Sequence, residues 1–170
     1  RDRSVSRGLG DVYKRQGLEE RITMYGFLEP ARVRERMEKS HIHLFTSNHL
    51  EGWGAVVNEA MNSGCAVVAS HAIGSVPFLI KNGENGLIYE NGNQLDLEKQ
   101  VLRLLEDGAF RKKIAENAYE TMINLWNAET AAERFLTLAE KLLKNENTDS
   151  LFLDGPCSKA AILKNDWYQH

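Results

Sequence analysis

Glu51 and Glu59 stand eight positions apart in the run LEGWGAVVNEAMNSGCAVVAS (50–70), with Gly52 and Gly54 between them. An ionised carboxylate only accepts hydrogen bonds, so it is well matched to a ligand with vicinal hydroxyls. Glycines let a backbone approach a ligand with no Cβ in the way. A helix starting after such a turn presents unpaired N–H groups and a partial positive charge, which favour phosphate. Carboxylates repel phosphate, so the combination suits a ligand with phosphate in the middle and hydroxylated rings on both sides. On spacing alone a plainer reading stands beside this one. Glu51 also fits as a first-turn acid worth ~0.3–1 kcal/mol, Glu59 as a solvated helix residue, and Trp53 as a packing side chain.

Other chemistries are less well marked. No Gly-Lys-Ser/Thr follows the turn, so it is not a Walker loop, and no GxGxxG fingerprint is present. His41 and His43 alternate on one run and share a face, while His49 and His71 fall in loops. With no cysteine or acid pattern around them they make a weak metal set, and none is expected. His71 as a catalytic base is an equally weak reading. The two cysteines, Cys65 and Cys157, are too few for a disulfide framework and fit a reducing compartment.

The elements that must position the glutamates follow from periodicity. Residues 22–27 and 41–46 mix β-branched and aromatic side chains and read as strands, as do the apolar run 65–70 and residues 86–90. Pro30 opens a helix ending near Ser40, with Ala31, Val33 and Met37 on its apolar face. Residues 55–62 form a short helix, closed by Gly64 in the left-handed conformation. A turn and short helix follow Gly74, and 82–86 is turn chemistry. From Asp96 onward three helical faces are expected: Leu97, Val101, Leu104 and Leu105; then Ile114, Ala118, Met122 and Leu125; then Phe135, Leu138, Leu142 and Leu143. Residues 145–170 have no clear period. Alternating strands and helices with short links predict an α/β fold, a Rossmann-like parallel sheet with helices on both faces. Ligands bind such sheets outside the carboxyl ends of the strands, where the Glu51 turn lies.

The stretch from Glu51 to Ser70 resembles the E-x7-E motif of retaining GT-B glycosyltransferases of family 4, written E-G-F-G-x-x-x-x-E-A-M-A-x-G-x-P-V-V-A-[ST]. Residues 22–30 resemble that family's I-x-F-x-G-x-x-P strand, 44–47 its L-x-P-S segment and 82–87 its N-G-x-N-G-x-L. The resemblance covers about 17–144. It implies the C-terminal, donor-binding half of a GT-B enzyme that uses a nucleotide-diphospho-sugar. Glu59 would hold the ribose hydroxyls and Glu51 the donor sugar. Backbone N–H groups around Gly52, Trp53, Gly54 and Ala55 would face the sugar and diphosphate, with Gly26 and Phe27 near the base. It also implies retained anomeric configuration, a polysaccharide or glycolipid acceptor, and no metal or other cofactor. Two positions depart from the pattern: Ala66 stands where the family has proline, and Phe78 where it has glutamate in Gly-Gly-x-Pro-Glu.

The same resemblance implies that an acceptor-binding domain, two further strands and a basic diphosphate clamp belong to a longer parent. Residues 1–16 do not read as either strand. They carry +3 within a chain of net charge −3, and are expected to be disordered or foreign sequence, with Lys14 and Arg15 not the clamp. The fragment is therefore expected to be inactive alone and to expose apolar surface that favours self-association. The acidic balance excludes a nucleic-acid partner of ordinary type, and no apolar run reaches the ~20 residues of a membrane span. A cytoplasmic protein is expected, its parent working at the inner membrane face when its acceptor is lipid-linked. The alternatives weighed are a GT-B nucleotide-sugar epimerase and a non-catalytic nucleotide-sugar-binding or interaction module.

Overall fold

Three short apolar runs pair in the computed structural model, which describes residues 16–160, 162–164 and 166–169. Strands β1 (Ile42–Phe45), β2 (Ala66–Ser70) and β3 (Leu87–Tyr89) form a parallel sheet in the order β1-β2-β3. Ile42 lies opposite Ala66 and Phe45 opposite Ala69; Val68 lies opposite Leu87 and Ser70 opposite Tyr89. Parallel strands need crossovers, and helices supply them. In chain order the helices are α1 (Pro30–Glu38), α2 (Val56–Asn62), α3 (Val76–Leu79), α4 (Gln94–Glu106), α5 (Gly108–Asn124) and α6 (Ala128–Leu143). The chain divides into the compact units Arg1–Val33 and Arg34–His170.

The core of the second unit sits on the central strand. Every residue of β2 is buried, as expected of a parallel strand covered on both faces. Ala66, Val68, Leu87 and Tyr89 pack with Leu104 of α4 and Ile114 of α5. Helix α2 packs on β2 and α5, and α4 packs on α5 and β3. The last three helices start alike. Asn93, Asp107 and Asn127 each accept a hydrogen bond from the N–H three residues on, at 3.0, 2.8 and 2.8 Å. These are N-caps, worth about 1 kcal/mol each. The 82–86 turn is anchored from within by buried Asn85. Its amide donates to the Leu79 carbonyl and to Thr121 Oγ1, both at 3.0 Å, and its oxygen accepts from Lys81 N–H at 2.7 Å.

Several expectations change. Residues 22–27 form no strand: a β-branched run becomes a strand only by pairing its backbone with a neighbouring strand. Leu105 is 58% exposed. The position its face was to fill goes to buried Gln100, whose amide donates to Asp96 Oδ1 and whose oxygen accepts from Arg103. Helix α6 buries no residue among those described, and Phe135, Leu142 and Leu143 face outward. Beyond it the described residues are irregular, with a short 3-10 turn at Trp167–Gln169. It is fastened by Lys81 to Asp154 at 2.6 Å and by Arg134, which stacks over Phe152 and donates to the Asp154 carbonyl. The proposed foreign segment 1–16 falls, but for Gln16, outside the described residues. No helix among the described residues is long and apolar enough to cross a membrane.

Candidate donor-binding site

The loops leaving the carboxyl ends of β1 and β2 are clasped together, and this clasp builds the site. After β1, Asn48 closes a tight turn: its side chain accepts from Leu50 N–H at 3.0 Å and its carbonyl from Glu51 N–H at 2.9 Å. Gly54 follows with φ +75°, and a Cβ there would lie 2.9 Å from both Ile73 and Phe45. The opposing loop comes closer still. A Cβ on Gly74 would lie 1.7 Å from the Gly52 carbonyl oxygen, while Ser75 N–H donates to the Trp53 carbonyl at 3.0 Å. The end of β3 joins the same arrangement. Ser70 Oγ donates to Asn91 Oδ1 at 3.2 Å, Asn91 N–H donates to His71 Nδ1 at 2.9 Å, and His71 N–H donates to the Tyr89 carbonyl at 3.0 Å.

Helix α2 begins at this clasp and differs from the capped helices behind it. It has no side-chain cap, and the N–H groups of Gly52, Trp53, Gly54, Ala55 and Val56 donate to no acceptor among the described residues. Unpaired donors at a helix start favour an anion. Glu51, half-buried, stands in the turn before the helix and Glu59, exposed, in its first turn. The predicted donor turn therefore gathers Glu51, Gly52, Trp53, Gly54, Ala55 and Glu59 around one uncapped helix start.

Gly52 has open space where its Cβ would be. The close backbone approach is made at Gly74, which sequence reasoning placed only in a turn; its position just past the carboxyl end of a buried strand was the available signal. Trp53 is held by its side chain as well, since Nε1–H donates to Asn58 Oδ1 at 2.9 Å. Gly26 and Phe27 lie in the first unit, Gly26 with φ +64° and Phe27 90% exposed. Among the described residues no group of three His, Cys, Asp or Glu side chains is placed to hold a metal.

His43 on β1 adds an electrostatic feature. Burial pushes its pKa below the ordinary 6.5, and the carboxylate of Glu59 partly opposes this. Its Nε2 is buried with no hydrogen-bond partner among the described residues. Folding thus favours the neutral ring, and the unfolded chain takes up the proton first. The resulting stabilisation is complete above 6.5 and is lost as pH falls from there through the folded pKa. Melting temperatures measured from about pH 8 to pH 5 are expected to fall less in His43→Gln than in the wild type. Equal slopes would remove His43 from the account.

The sequence model of the glycosyl transferases group 1 family matches residues 11–121. The chain belongs to this family. Among curated relatives, N-acetyl-alpha-D-glucosaminyl L-malate synthase of Bacillus anthracis is 24% identical over 140 residues, spanning 82% of this chain and 36% of its own length. The N,N'-diacetylbacillosaminyl-diphospho-undecaprenol alpha-1,3-N-acetylgalactosaminyltransferase of Campylobacter jejuni is 33% identical over 98 residues, 58% of this chain and 26% of that protein. The crystal structure of Anabaena Alr3699/HepE in complex with UDP superposes with a TM-score of 0.69 at 29% identity, covering 82% of this chain and 36% of that one. The chain thus spans about a quarter to a third of the length of these two curated relatives. Its fold is that of the C-terminal domains of GT-B glycosyltransferases.

Proposed function

We propose that this glycosyltransferase domain holds a uridine-diphosphate sugar at the start of α2, for retaining transfer of a hexosyl unit by the longer parent enzyme. The observation that carries the reading is the uncapped N-terminus of α2 between two glutamates, at the carboxyl end of a parallel sheet. The diphosphate sits against the free N–H groups of Gly52 to Val56, which meet the charge that grows on the leaving group. Glu59 accepts from the ribose hydroxyls and Glu51 from hydroxyls of the sugar. In the transfer, the bond from the anomeric carbon to the phosphate oxygen breaks. The acceptor oxygen bonds to that carbon from the same face, and its proton passes to the departing phosphate.

Uridine is favoured by the UDP bound in the Anabaena structure. The Campylobacter relative is named as an alpha-1,3 transferase, and an α product corresponds to retention when the nucleotide-sugar donor is itself α-configured. That relative's lipid-diphosphate name also supports a glycolipid or polysaccharide acceptor, supplied with its own binding surface by the parent. Free Cys65 and Cys157 fit a cytoplasmic setting, at the inner membrane face where the acceptor is lipid-linked. Titration of the chain with UDP, GDP and ADP tests the reading. UDP is expected to bind at least ~10-fold more tightly than the other two, a difference of about 1.4 kcal/mol, and to do so equally with EDTA present. Equal binding of all three, or none, would contradict it.

A further inference from the structure

We propose that Trp126 and Phe78 are positioning residues, which fix the donor turn by bracing the indole of Trp53; the role rests on the donor-site reading above. Trp53 sits between the two glutamates and is held by groups from several elements. Its carbonyl accepts from Ser75 N–H, and its Nε1–H donates to Asn58 Oδ1. The Phe78 ring of α3 stacks on it at 5.9 Å and 20°. The Trp126 ring, just past the end of α5, meets it at 5.9 Å and 48°. The indole is therefore committed to protein rings, although the residue remains 41% exposed.

The brace is anchored at its far end. Trp126 N–H donates to the Thr121 carbonyl at 3.0 Å, Thr121 Oγ1 accepts from Asn85, and Asn117 donates to the Glu84 carbonyl at 2.7 Å. The end of α5 is thus tied to the 82–86 turn and does not float with the loop it supports. At the other end, the N–H groups on either side of Trp53, those of Gly52 and Gly54, belong to the free donor set. Without the ring contacts the Trp53 backbone is less restrained, and with it the peptide units that carry these amides. Phe78 stands where the resembling motif carries glutamate, so the ring contributed here is a feature of this chain. Phe78 and Trp126 reach the ligand only through Trp53, which makes them positioning rather than catalytic groups.

One aromatic pair is worth about 0.5–1.5 kcal/mol, so its loss should weaken binding up to about ten-fold. UDP titration of the whole chain, below the melting temperature of each variant, is the first arm. Trp126→Leu is expected to bind ~5–10-fold more weakly than wild type, and Trp126→Phe to recover to within about two-fold, because a ring is restored. Wild-type affinity in Trp126→Leu, or no recovery in Trp126→Phe, overturns the role. The second arm needs no ligand. In a Trp126→Phe, Trp167→Phe background, Trp53 is the only fluorophore of its kind. Adding Phe78→Leu is expected to shift its emission to the red, and unchanged emission overturns the brace. A wild-type chain that binds no UDP overturns the donor reading and the positioning role with it; the emission arm still decides whether the rings hold Trp53.

Discussion

Gly74→Ala is expected to abolish UDP binding and to lower the melting temperature sharply, although it adds a single methyl group. The methyl carbon would lie 1.7 Å from the Gly52 carbonyl oxygen, far inside van der Waals contact, and its nearest neighbours are backbone atoms. No rotamer change relieves a clash with backbone. The two loops must part, breaking the Ser75–Trp53 hydrogen bond and turning the amides of the donor turn. Overpacking in a fitted site costs ~1–3 kcal/mol and sometimes more; the upper end is expected here. Gly52→Ala is the matched control. It meets nothing within 4 Å, so thermal denaturation should place it near wild type. A Gly74→Ala chain with wild-type melting temperature and UDP affinity would mean that the clasp is not what shapes the site.

The second large effect separates the two glutamates. Glu59→Ala is expected to weaken both UDP and UDP-glucose by about 100-fold, since hydrogen bonds to a charged group are worth ~1.5–3 kcal/mol each. Glu51→Ala should leave UDP within about two-fold and remove whatever UDP-glucose gains over UDP. The contrast follows from the roles assigned, one carboxylate serving the ribose and the other the sugar. Competition titrations of the two nucleotides against both variants measure it. Loss of UDP in Glu51→Ala equal to that in Glu59→Ala would show that the turn does not divide the ligand in this way.

Much of this arrangement is legible in the chain. The buried strand Ala66–Ser70 is written in the run Cys-Ala-Val-Val-Ala-Ser, which no amphipathic pattern explains. The left-handed Gly64, φ +75°, and the proline opening α1 are read from residue type. Glu51 and Glu59 are marked out by their likeness to the family motif, since spacing alone also allows a plainer reading; the structure places Glu51 before a short helix and Glu59 in its first turn. The misreadings share a cause in nonlocal structure. Residues 22–27 have strand composition, yet pairing is decided by what lies alongside. Leu105 has the right period, but Gln100 enters the core because Asp96 and Arg103 satisfy its amide. The clasp at Gly74 depends on two loops approaching from different strands, and the Trp53–Phe78–Trp126 set joins residues far apart in sequence. No local pattern carries either one.

The most direct test of the central claim is an amide-resolved NMR titration of the chain with UDP. The largest shifts are predicted at Gly52, Trp53, Gly54, Ala55 and Val56, whose N–H groups donate to no acceptor among the described residues. Amides at the opposite end of the sheet, such as Gly64 and Gly108, should stay still. Saturable shifts centred there, with the 52–56 amides unmoved, would contradict the assignment of the donor site to the start of α2.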